Sequence, residues 1–163
     1  MNTVIIGVGN PVLTDDGVGI HVAEMIRAVL PAAEGITVRA AFSGGLRLVD
    51  AMIGFDRAII VDALCTGTNP PGTVVHLAAD NLQQGRNSAS VDDLDLPTAL
   101  EFASSAGVKV PAQVEAWGVE IADATSFSEY LSPAVRAAVP HIVAEICRSA
   151  QQPMEHVQRN MTG

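Results

Sequence analysis

Apolar residues recur along this chain with two periods, and their alternation lays out an ordered series of strands and helices. Val4-Ile5-Ile6 opens as a buried strand, after which Gly7, Gly9 and Pro11 force an irregular path until periodicity resumes at Val18. Val18, Val22, Met25, Ile26 and Val29 repeat at helical spacing and Pro31 follows, which predicts an amphipathic helix over 17–30 with His21 at the edge of its apolar face. Ile36 to Phe42 alternates as a strand, Ser43-Gly44-Gly45 breaks it, and Leu46, Leu48, Val49 and Met52 begin a short helix. Ala58-Ile59-Ile60-Val61 is a continuous apolar run that ends in Asp62, the pattern of a parallel strand covered on both faces.

Pro70-Pro71-Gly72 marks a turn before a strand over 73–77, in which His76 reads as a strand residue with one solvated or hydrogen-bonded nitrogen. Residues 80–95 are polar and lack a period, making the longest loop candidate in the chain, and long loops tend to carry function. Leu96, Ala99, Leu100 and Ala103, with Pro97 in the first turn and Gly107 at the end, delimit a third helix, and Val114 to Ile121 is the last strand. Ser132-Pro133 starts a final helix through Val135, Val139, Ile142, Val143 and Ile146, which Pro140 should kink or split. The polar tail over 151–163 is expected to fray. Strands alternating with helices predict an α/β fold: a three-layer α/β/α sandwich around a mainly parallel, twisted sheet of about five strands, as a single domain over 1–150. In such a sheet the ligand crevice lies beyond the carboxyl ends of the strands where strand order reverses. If the first strand is flanked by the second and third, Asp16 and Asp62 both reach it.

Composition narrows the partners. A formal charge of -9, with 9 scattered Lys and Arg, argues against nucleic acid, because neutralising phosphates demands a basic patch. No apolar run is long enough to span a bilayer, so no membrane association is expected. The N-terminus enters a strand without a basic leader, and Cys65 and Cys147 have neither metal-ligand spacing nor the density of a disulfide scaffold, which together fit a cytoplasmic protein. Cys65 reads as a small apolar packing residue, since the nearby Asp62 would suppress its thiolate.

The chemistry concentrates in carboxylates. The opening turn lacks the third glycine of a dinucleotide fingerprint, with Val12 in its place, and Asp15 and Asp16 would repel a phosphate, so no nucleotide is expected. Asp16 stands where it would cap the first helix, but a carboxylate has two oxygens and can cap and coordinate together. Asp62, closing an apolar strand, is partly desolvated and should share its charge or its proton. Two acids at one crevice allow metal-assisted activation of water or a proton shared between carboxylates, and the residues alone leave both open. No Gly-x-Ser-x-Gly elbow supports a serine nucleophile.

The stretch Gly7-Val8-Gly9-Asn10-Pro11-Val12-Leu13-Thr14-Asp15-Asp16-Gly17-Val18-Gly19 is followed in order by Val61-Asp62-Ala63, Pro71-Gly72-Thr73, a Ser-x-x stretch leading into a helix, and Trp117-Gly118-Val119-Glu120. Together these resemble the maturation endopeptidases of nickel-iron hydrogenases. The resemblance implies a cytoplasmic peptidase, aspartic-type or metal-assisted and read here as a monomer, that removes the C-terminal extension of a hydrogenase large subunit precursor after nickel insertion. It implies that Asp16 and Asp62 are catalytic, that these two and a histidine before the third helix contact the metal, a place in which this chain is expected to use Asp92, and that the nickel arrives with the substrate protein. Gly44 and Gly45 fall in a loop that the resemblance links to substrate choice, although Ala40-Ala41-Phe42-Ser43 lacks the acid that many relatives carry ahead of these glycines. Where the family reads Ser-x-His, this chain has Ser90-Val91-Asp92, a harder donor than the imidazole that nickel favours; Asp92 is alternatively a solvated acid at a helix entry. Two other readings stand beside the peptidase: a non-catalytic binding module for the metal-loaded large subunit, and a small-ligand domain on the same scaffold.

Overall fold

The computed structural model describes residues 1–30, 35–42, 46–78 and 96–153. Strands β1 (Thr3–Val8), β2 (Ile36–Ala41), β3 (Arg57–Leu64), β4 (Val74–Ala78) and β5 (Gln113–Glu120) form one sheet in the order β2-β1-β3-β5-β4. The first three and β5 are parallel, and β4 runs antiparallel along β5 at the edge. The link from Leu64 to Val74 is too short to hold the crossover a parallel return needs, which accounts for the reversed strand.

Period-two alternation sorts the side chains of each strand into two cores. Ile5, Ile59, Val61, Trp117 and Val119 pack beneath helices α1 (Val18–Val29) and α4 (Pro133–Gln151). Val4, Ile6, Val8, Ala58, Ile60 and Ala116 pack on the opposite face with residues of α2 (Leu46–Asp50) and α3 (Leu96–Ser105). The result is the three-layer sandwich expected from the pattern, with β1 between β2 and β3. Helix α4 is not split at Pro140; Val135, Val139, Ile142, Val143 and Ile146 form one buried stripe that holds it as a single element. The polar stretch over 80–95 lies outside the described residues. Among those described, no helix is long and apolar enough to cross a membrane.

Where α1 crosses the sheet, glycine faces glycine. A Cβ at Gly7 would overlap the Gly19 carbonyl oxygen, and one at Gly19 would overlap the carbonyls of Val8 and Val61. The opening glycines therefore seat the helix directly on β1 and β3, a packing role rather than a cradle for phosphate.

Candidate active site

Strand order reverses between β1 and β3, so the carboxyl rim of these neighbours is the place where a doubly wound sheet offers a crevice. Beyond β1 the chain turns at Gly9, whose φ of +146° and closeness to the Asp16 carbonyl leave no room for a side chain. It then enters a short 3-10 turn over Thr14–Gly17. The Asp16 side chain is not the α1 cap. That position belongs to Gly17, and no side chain hydrogen-bonds there, because the 3-10 turn brings Asp16 back toward the start of the loop, where its Oδ2 accepts the Asn10 N–H at 2.9 Å.

Its neighbour Asp15 has a different office. Fully buried, it accepts the N–H groups of Ala122 and Asp123 at 3.0 Å on Oδ2, and the Ser132 N–H and hydroxyl at 2.7 Å on Oδ1 and Oδ2. These bonds tie the loop after β5 to the loop after β1. Thr14 adds to the seam, its N–H and hydroxyl donating to the carbonyls of Ser128 and Ser126 while its backbone sits at φ +50°, and Leu13 forms a bridge with Ser128. A β-branched residue in the left-handed region persists only when its surroundings over-determine it.

Asp62 stands near the end of β3, half-buried, one step past the Gly7–Val61 pairing of β1 with β3. Alternation with Ala58 and Ile60 assigns it to the face shared with α2 and α3, and its Oδ1 accepts the Ala63 N–H at 2.8 Å. The chain leaving β3 is held by a second buried acid. Glu120 accepts the N–H groups of Thr66 (3.1 Å) and Gly67 (2.7 Å) and the Thr66 hydroxyl (2.9 Å). Cys65, in that segment, is exposed and not packed as expected, because β3 ends at Leu64 and residue 65 lies beyond the layers that cover the strand.

Two buried acids thus fix the loops, and two half-buried ones stand in the 3-10 turn after β1 and near the end of β3. Carboxylates so placed can accept a proton from water or offer hard oxygen donors to a cation. Asp92, Gly44 and Gly45 lie outside the described residues. Among the described residues no group of three His, Cys, Asp or Glu is placed to hold a metal ion, so a three-carboxylate site is not formed by them alone.

A second polar centre went unread in the sequence. Arg57, fully buried at the start of β3, pairs with the buried Glu115 of β5 at 2.7 Å and donates to the Ser149 carbonyl at the end of α4. The other Glu115 oxygen meets His76 Nε2 at 3.0 Å, and the imidazole stacks on Trp117 at 4.3 Å, so the hydrogen-bonded nitrogen expected of His76 is found. Burial works to raise the Glu115 carboxyl, but the His76 hydrogen bond and the Arg57 charge outweigh it and hold the group below its ordinary value. A cleft of about 390 Å³ lies alongside, between β4 and α4, lined by His76, Trp117, Arg148 and Gln152 among others. The one local signal was an arginine opening the apolar run over 58–61; its partner lies 58 residues away.

The model of the HycI hydrogenase maturation protease family matches residues 20–149. The hydrogenase 2 maturation protease of Escherichia coli (strain K12) is 33% identical over 79 residues, 47% of each chain, so the matched stretch spans about half of that relative. The hydrogenase expression/formation protein HupD of Rhizobium leguminosarum bv. viciae is 24% identical over 146 residues, 88% of this chain and 71% of its own. Among solved structures, the hydrogenase maturating endopeptidase HybD from E. coli superposes with a TM-score of 0.72 at 25% identity, covering 91% of each chain. With a family match over most of its length and the same fold as an experimentally determined relative, this chain belongs to the HycI hydrogenase maturation protease family.

Proposed function

We propose that this protein is an endopeptidase that removes the C-terminal extension of a nickel-iron hydrogenase large subunit precursor once nickel has been inserted. The observation that carries the reading is the division of labour among the acids. Asp15 and Glu120 are saturated with hydrogen bonds inside the fold, while Asp16, in the turn after β1, and Asp62, near the end of β3, stay half-buried with Asn10 and Ala63 as backbone donors. In this reading one of the two takes a proton from water as the oxygen attacks the scissile carbonyl, and the amine of the extension leaves with a proton returned to it. The nickel is carried by the substrate and marks it as ready. Asp16 and Asp62, joined by Asp92, contact that ion, and Gly44 and Gly45 lie against the substrate chain.

Intact mass of the nickel-loaded precursor, before and after incubation, is the test. The wild-type chain is expected to shorten it and Asp62→Asn to leave it whole, with the variant's circular dichroism and Tm unchanged. Shortening by Asp62→Asn at the wild-type rate overturns the assignment, and an uncut precursor with the wild type assigns a binding role instead. In the same series Asp92→His should hold free nickel more tightly, since imidazole suits nickel better than a third carboxylate.

A further inference from the structure

The chain has 4 Phe, 1 Tyr and 1 Trp, and of these only Phe55 and Trp117 escape exposure. Phe127 and Tyr130 are the most exposed apolar side chains of the described residues, at 87% and 77%. Both sit on the loop that follows β5, the loop bound to Asp15 and Thr14. Ser128, between them, donates its N–H to the Val12 carbonyl at 3.0 Å, and its hydroxyl accepts the Tyr130 N–H at 3.1 Å. The seam therefore gathers the exposed Val12, Phe127 and Tyr130 on one short stretch of rim, in the same loop pair that bears Asp16. Phe42, one residue past β2, adds another exposed aromatic ring at the carboxyl end of the sheet.

Exposed rings scattered singly need no explanation, but rings grouped on a braced backbone beside a candidate site do. Such rings lose little conformational freedom on binding, which is why aromatic side chains dominate the energetics of protein interfaces. Glu129 lies between the two rings, exposed, and the chain as a whole carries a formal charge of -9. We propose that Val12, Phe127 and Tyr130 form the docking surface for the substrate protein, engaging a polypeptide segment whose apolar side chains are flanked by basic residues. The inference rests on the proposed peptidase reading for its choice of partner, because the same loops hold the candidate acid.

The test measures binding apart from cleavage. Immobilised nickel-loaded precursor is exposed to the full-length wild type, to the double variant Phe127→Ala/Tyr130→Ala, and to Phe102→Ala, which removes an exposed ring from the flank of α3. Both loop rings are solvent-exposed, so the double variant should keep the core, and its Tm checks this. Affinity is expected to fall at least tenfold for the double variant, about 1.4 kcal/mol, and to stay within twofold for Phe102→Ala. On cleavable precursor KM rises while kcat holds. Glu129→Lys should slow association, most clearly at low salt. Unchanged affinity in the double variant overturns the proposal, as does a wild-type chain that fails to bind the precursor. So does sedimentation showing a wild-type dimer that the double variant dissolves, which would assign the surface to a second copy of this chain. If the wild type binds through these rings but never shortens the precursor, the peptidase reading fails and the docking surface stands.

Discussion

Asp15 and Asp16 are adjacent and chemically identical, yet their surroundings give them opposite tasks. Asp15 is sealed inside and meets donors from Ala122, Asp123 and Ser132, whereas Asp16 keeps access to the rim. Hydrogen bonds to a buried charge are worth more than neutral ones, and donors left unpaired by its removal carry their own cost. Asp15→Ala should therefore lower the unfolding free energy by about 3 kcal/mol, and Asp16→Asn by under about 1 kcal/mol, since the amide oxygen still accepts the Asn10 N–H. Urea denaturation of the two variants decides it; equal losses would mean that the acids share the structural load. The sequence marked the pair but could not divide it, because the donors that claim Asp15 come from more than a hundred residues away.

At the scale of elements, strands and helices were legible wherever burial imposes a period. The run Ala58-Ile59-Ile60-Val61 is covered on both faces as its composition required, and α1 buries Val18, Val22 and Ile26 of its expected stripe, whereas Met25 and Val29 are exposed and Ile20 and Ala23 complete the buried face. The antiparallel course of β4 was not read from its five residues, and the signal lay outside them, in the link from Leu64 to Val74 that is too short for a parallel return. Nor was the strut that joins β3, β5, β4 and α4 through Arg57, Glu115, His76 and Ser149. Removing one partner of a buried ion pair strands the other, at about 3–5 kcal/mol. Arg57→Met should cost that much, and Arg57→Met/Glu115→Leu should recover most of it; denaturation midpoints of the single and double variants give the comparison. No recovery would show that the strut's value lies in its bonds to α4 and not in neutralising Glu115.

For the whole molecule, acid is the informative stress. The carboxyl of Asp123 is held down to about 2 by the hydroxyl and N–H of Ser126 and the N–H of Thr125, and Glu115 and Asp56 are also held below their ordinary values. A carboxyl whose pKa is lower in the folded chain stabilises it fully above the unfolded value, near about 4, and that contribution is lost as pH falls through the folded value. Tm should be level from neutral pH down to about 5 and decline steeply below about 4. An NMR titration should find the Asp123 midpoint near 2, and a midpoint at the ordinary carboxylate value would show that its loop is not capped as described.

Thr14 ties these scales together. Its left-handed backbone is underwritten by Ser126 and Ser128, members of a loop that enters the chain over a hundred residues later. The turn that presents Asp16 is thus completed only once the last strand is in place, and whatever pulls on Phe127 or Tyr130 also pulls, through one peptide seam, on Thr14 and Asp15, the two residues that lead into that acid.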